Sequence, residues 1–132
     1  MRILIPDLGY PDADLEREVA GSDVTVDFYK WEPGIVAQIT EESWRECNGL
    51  VLYEKIPVTP EIMTKLDNIK VVVRAGVGFD NVDIKGFGAM GIPVCNVPDY
   101  GTMDVAEHAI GLMLGLTRGI TEHDARLMTD PV

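Results

Sequence analysis

Five short runs rich in Val and Ile, each followed by a stretch of helical period, constrain this chain of 132 residues more than any other feature. Parallel strands need a crossover connection, usually a helix, so alternating β and α segments build a mainly parallel sheet. The runs predict strands over Arg2 to Pro6, Val24 to Tyr29, Gly49 to Tyr53, Val71 to Arg74 and Ile92 to Asn96. Helical patterns fall at Ala13 to Ala20, Pro33 to Cys47, Thr59 to Leu66 and Asp83 to Met90, with a longer one from Asp104 to Arg118. Val71, Val72 and Val73 are apolar without alternation, which predicts an interior strand covered on both faces. The expected fold class is therefore α/β, a doubly wound five-stranded parallel sheet in the order 2-1-3-4-5 with a C-terminal helix. Such sheets bind ligands outside the carboxyl ends of the strands near the switch point, so the segments after strands one, three and four are the ones to read for function.

Composition narrows the function. A length of 132 residues suits one domain and leaves no room for a two-domain enzyme. With 46% hydrophobic and 25% charged residues the chain is globular in character, not disordered. Its net charge of -11 repels phosphate backbones and anionic lipid, which argues against nucleic acid and membrane as partners. Cys47 and Cys95 form no CxxC pair and have only two scattered histidines for company, so no metal site and no disulfide framework is expected, and a cytoplasmic location fits. The apolar start Met1 to Pro6 is too short for a signal peptide, and Ala109 to Thr117 is far below the ~18 apolar residues of a membrane span.

A literal GxGxxG occurs at Gly86 to Gly91, but its context is wrong for a dinucleotide fingerprint, which needs a strand feeding a glycine turn that opens a helix. Here the glycines close a helical segment, with Gly91 as the expected C-terminal glycine. The stronger feature is the run Arg74 to Asp83 directly after the fourth strand. Gly76 and Gly78, one residue apart, can turn successive backbone N–H groups toward a common centre as an anion nest, and the Arg74 guanidinium can add a bidentate hold on a carboxylate. A plain glycine turn with a solvated arginine explains the same residues equally well. Tyr53, at the end of the third strand, either lines a small polar pocket or caps the core. His108 beside Glu107 suggests acid–base work only superficially, since adjacent helix residues diverge, and His123 falls in a polar tail. Asp104 and Glu107 fit a variant capping box. The apolar residues of that helix, among them Val105, Ile110, Leu112 and Leu114, spread over about half its circumference, more than one sheet face can cover. Gly111 and Gly115 on the remaining face permit a close helix approach.

Three stretches together, Val71 to Asp83, Gly91 to Pro98 and Val105 to His108, resemble the D-isomer-specific 2-hydroxyacid dehydrogenases in residues, order and spacing. The resemblance covers essentially the whole chain and implies that family's flavodoxin-like substrate domain over 1–103, with an interdomain and dimerisation helix and tail over 104–132. It implies that Arg74, Gly76 and Gly78 hold the substrate carboxylate, that Val77 lies near substrate and nicotinamide, that Tyr53 lines the pocket and that Val105 approaches the nicotinamide. The implied reaction is reversible hydride transfer between NAD or NADP and a D-2-hydroxy acid or its 2-oxo acid. It also implies a homodimer through the helix at 104–118.

The chain departs from the family in length. The nucleotide-binding Rossmann domain and the later Arg, Glu and His of the family have no counterpart here, so no catalytic residue is assigned and no cofactor is expected to bind this chain alone. A flavodoxin-like binding or scaffold module that dimerises is the alternative. A flavodoxin proper would want hydroxyls after the first strand, where Pro6 to Asp12 offers acids instead, and a receiver domain would want an Asp where Tyr53 and Glu54 stand.

Overall fold

The five apolar runs form one parallel sheet in the computed structural model, which describes residues 1–129. In chain order the strands are β1 (Arg2–Leu8), β2 (Thr25–Lys30), β3 (Gly49–Leu52), β4 (Val71–Arg74) and β5 (Val94–Asn96). They lie in the order β2-β1-β3-β4-β5 with every pairing parallel, as the doubly wound reading requires. The helices between them are α1 (Asp14–Ala20), α2 (Glu41–Glu46), α3 (Pro60–Met63) and α4 (Ile84–Ala89), and α5 (Thr102–Thr117) and α6 (Ile120–Thr129) follow the sheet. The chain divides after Pro98 into two compact units, the second beginning at Asp99. The end of the expected tail, Asp130, Pro131 and Val132, lies outside the described residues.

One face of the sheet presents Leu4, Leu50, Leu52 and Val72, which pack with Ile39, Trp44, Ile62 and Phe87 into the main core. On the opposite face Ile5, Leu8 and Val26 are buried with Ala13, and Ala20, Phe28, Val51 and Tyr53 pack against them. The Arg17 guanidinium of α1 lies 4.8 Å from the Phe28 ring centroid. This second cover is thin. Val72 is fully buried, but Val71 and Val73 are only half-buried and Cys95 is exposed. The expectation of a strand covered on both faces is thus corrected. β4 is interior, between β3 and β5, but the apolar cover from α1 reaches only the β2–β1–β3 side of that face.

Three helix boundaries also depart from expectation. The stretch Pro33 to Cys47 is not one helix: Gly34 takes φ +86° and opens a 3-10 turn at Ile35–Ala37, and Thr40 restarts the chain as an N-cap whose hydroxyl accepts from the Ser43 amide at 3.0 Å. A threonine at a helix start satisfies an amide that the first turn leaves orphaned, which favours a break there over continuity. The C-terminal helix begins at Thr102 after Gly101 and not at Asp104, so the Asp104/Glu107 capping box does not form. Asp104 instead sits in the first turn, where the helix dipole favours a negative charge. His123, read as part of a polar tail, belongs to α6.

The GxGxxG ends α4. Gly91 takes φ +72°, its amide donates to the Gly88 carbonyl at 3.0 Å, and the Ile92 amide donates to the Phe87 carbonyl at 3.0 Å. These two bonds define a Schellman motif, and Ile92 packs against the core cluster that contains Phe87, its usual hydrophobic companion contact. Gly91→Ala forces a side chain into the left-handed region and should destabilise the fold by about 1–2 kcal/mol, measured by urea denaturation.

Candidate functional site

The site is built where β1 and β3 part. The two strands pair only at Ile3 with Gly49 and Leu4 with Leu50. On its other side β1 carries one extra residue between the Ile5–Phe28 and Leu8–Lys30 pairs, a bulge that spans Pro6 and Asp7 and places Leu8 in the same core cluster as Ile5. Past Leu52, the amides of the segment leaving β3 therefore have no β1 carbonyl to meet. The carboxylate of Asp7, only 1% exposed, takes their place. Its Oδ1 accepts from the Tyr53 amide at 2.9 Å, and its Oδ2 accepts from the amides of Lys55 at 2.9 Å and Ile56 at 3.3 Å.

Two asparagines carry this order to the loop after β4. Asn81 Nδ2 donates to the Ile56 carbonyl at 3.1 Å, and the Asn81 carbonyl accepts from the Val58 amide at 3.0 Å beside a parallel bridge between Val58 and Val82. From the other flank, Asn96 Nδ2 donates to the Val77 carbonyl at 2.9 Å and the Val97 amide to the Gly76 carbonyl at 3.1 Å.

Within the loop, the Ala75 amide continues the ladder to Leu52 at 2.7 Å, and the Gly76 amide donates to the Arg74 carbonyl at 2.8 Å in a γ-turn. The amides of Val77 and Gly78 have no acceptor among the described residues. Neither Gly76 nor Gly78 adopts a positive φ. Free donors at Val77 and Gly78, and at Phe79, Asp80 and Asn81 beyond them, thus stand in place of a glycine nest. Gly76 leaves the space that Arg74 uses: a Cβ there would fall on Nη1 of Arg74, the far end of a flexible side chain, so the guanidinium lies folded over this glycine. Arg74 joins no ion pair among the described residues, and its Nε is buried without an acceptor. A cation with unspent donors beside two free amides is suited to hold a carboxylate.

The remaining candidates lie on several different elements. Tyr53 packs on the thinly covered face, where its phenol donates to Glu16 Oε1 at 3.1 Å and its ring meets Tyr10 edge-on at 6.3 Å. Burial first, and then the bond to Glu16, push that phenol up to about 12. Arg74 pairs in register with Leu52 of the opposite face, so the structure does not join phenol and guanidinium in one contact. Glu54 bonds to Lys55, which holds its carboxyl below the usual range, and the positive charge of Arg74 adds to the effect. Val77 is 49% exposed on the loop, and Val105 is 69% exposed on α5. His108 and Glu107 are exposed on α5, and their side chains make no hydrogen bond among the described residues. Asp7, Asn81 and Asn96 escaped the sequence reading, although a short polar side chain just past a strand end is a known source of backbone-mimicking bonds.

A doubly wound α/β sheet thus carries an anion-suited loop at its carboxyl edge. Residues 8–130 match the family described as D-isomer specific 2-hydroxyacid dehydrogenase, catalytic domain, and the chain belongs to that family. It is 33% identical over 128 residues to a D-3-phosphoglycerate dehydrogenase of Methanocaldococcus jannaschii, covering 96% of this chain and 23% of that protein. Among solved structures, an NADPH-dependent glyoxylate/hydroxypyruvate reductase of Sinorhizobium meliloti, in complex with NADP and malonate, is 32% identical with a TM-score of 0.73 over 98% of this chain and 38% of that one. A D-lactate dehydrogenase of Aquifex aeolicus, complexed with NAD and lactic acid, shares the fold at a TM-score of 0.80 and 21% identity, over 98% of this chain and 37% of that one. The chain thus spans about a quarter of that curated relative and under two-fifths of these solved ones.

The GxGxxG among the described residues does not supply the dinucleotide site that the family implies. The one GxGxxG is spent on ending α4, and its amides at Gly91 and Ile92 are bonded within that cap. No helix is long and apolar enough to cross a membrane among these residues, and no cluster of His, Cys, Asp and Glu is able to hold a metal.

The Tyr53 environment sets an alkaline limit. Because its folded value of about 12 lies above the ordinary 10, the contribution to stability is fully present below pH 10 and is lost as the pH rises through about 12. In a spectrophotometric tyrosinate titration, Tyr53→Phe should remove the component near pH 12.

Proposed function

We propose that this chain is the carboxylate-positioning part of an NAD(P)-dependent D-2-hydroxyacid dehydrogenase, a cytoplasmic enzyme that interconverts a small 2-oxo acid and its 2-hydroxy acid. The observation that carries the reading is the pair of unbonded amides at Val77 and Gly78 beside the folded Arg74 guanidinium. Charge-assisted bonds from a guanidinium and two amides hold both carboxylate oxygens in a fixed plane, which orients the neighbouring carbon for reaction. Gly76 serves by leaving room for Arg74, whereas the Tyr53 phenol, on the opposite face of the sheet, takes no part in this pocket. Exposed Val77 is available for contact with nicotinamide in the complete enzyme, and Val105 is exposed on the second unit. On this reading residues 1–103 are the substrate domain and 104–132 the connecting and dimerisation segment.

Oxalate, a minimal carboxylate probe, should shift the Val77 and Gly78 amide resonances of the chain. Arg74→Ala should weaken its binding by about 10- to 150-fold, the worth of a hydrogen bond to a charged group. Undisturbed resonances at those amides would sink the reading.

The proposed partner is a second copy of the chain, engaged through α5. No residue of this helix is buried, and Ile110, Leu112, Met113 and Leu114 are each about half exposed, at 54%, 56%, 54% and 49%. Such an apolar surface is larger than soluble monomers usually leave in water. Light scattering at tens of micromolar should give a dimer mass that Ile110→Glu with Leu114→Glu reduces to the monomer, and a wild-type monomer would refute the pairing.

A further inference from the structure

We propose that Asp7 is a positioning residue for the anion-binding loop: acting through the Tyr53–Ile56 backbone and Asn81, its carboxylate sets where the Val77 and Gly78 amides stand. The proposal rests on the carboxylate-binding reading of that loop. Asp7 is the one buried acidic side chain among the described residues, and a carboxylate is costly to bury unless its oxygens are well bonded. Three backbone amides, from Tyr53, Lys55 and Ile56, meet that demand, and all three lie in the segment that leaves β3 at the mouth of the β1–β3 divergence.

The next link is double. Asn81 donates to the carbonyl of Ile56, the residue whose amide Asp7 holds, and accepts from Val58 two residues on. The amide of Val82, which follows Asn81, donates to the Phe79 carbonyl at 3.0 Å, closing a turn that leaves Gly78 next in the chain. Displacement of the Ile56 backbone therefore passes to Asn81 and from there to the free amides within a few bonds. Asn96 holds the same loop from β5 and supplies a fixed second point against which this path works. Asp7 is buried and bonded to backbone only, so it acts through these groups and touches no ligand itself.

Asp7→Asn keeps the shape but turns one acceptor oxygen into a donor facing an amide. The test reads amide exchange and resonance positions in the ligand-free chain, then an oxalate titration. With the fold retained, shown by unchanged protection at Val72 and Trp44, the expected result is faster exchange at Val58, which bonds to Asn81 and not to Asp7, together with shifted Val77 and Gly78 resonances. Oxalate affinity should fall about tenfold, and a double variant with Asn81→Ser should bind no more weakly than the weaker single variant, as expected for residues on one path. Unchanged Val58 exchange and unchanged Val77 and Gly78 resonances would overturn the proposal and leave Asp7 a local cap. If Asp7→Asn does not fold, Asn81→Ser alone decides: with the Tyr53 and Lys55 amides still protected, displaced Val77 and Gly78 resonances uphold the path and unmoved ones overturn it. A wild-type chain that ignores oxalate would count against the carboxylate reading, whereas the ligand-free spectra judge the Asp7 path by themselves.

Discussion

The separation of β1 from β3 after two residue pairs is the constraint on which the carboxyl edge of this sheet depends. A doubly wound sheet opens a crevice where its strand order reverses, and ligands commonly enter there. In this chain the crevice is filled from within. The bulge at Pro6 and Asp7 turns a carboxylate into the gap, where it does the work of a missing strand. Pro6 suits the spot because it brings no amide that would need a partner. With the switch point closed, the edge left open lies one strand over, at the loop after β4.

That loop is stiffened without a positive φ at either of its paired glycines. Its carbonyls are engaged by Asn96 and Val97, its first amides by Leu52 and Arg74, and the amides from Val77 to Asn81 are left free. Donors fixed before a ligand arrives cost little reorganisation when it binds, which is why rigid backbone amides make effective anion sites. The protein as a whole carries a net charge of -11, so a local cation has to outweigh a repulsive surround. Glu54, close enough to feel Arg74, is kept occupied by Lys55.

The parallel sheet and its order were legible because period, β-branching and crossover length all pointed one way. The glycine at 91 was legible for the same reason, since a motif read with its flanking elements declares a helix end. What stayed hidden was set by geometry that a linear string does not carry. The break at Gly34 and Thr40 replaces a continuous helix because a positive φ and a side-chain cap outweigh helical period over a few residues. The half-bare face at Val71 and Val73 depends on how far α1 reaches, and apolar runs do not encode reach. Within the site, Arg74 and Tyr53 could be named from type and position, but their projection onto opposite faces followed only from register. Asp7 and Asn81 draw their importance from partners 46 to 49 and 25 residues away.

The guanidinium folded over Gly76 ties two positions to one volume. Space that a methyl group at 76 would claim is already held by the end of the residue at 74. A side chain added at 76 displaces the guanidinium from its place over the loop, while the arginine itself can stay and turn outward. The glycine thus governs the position of the cation more than its presence.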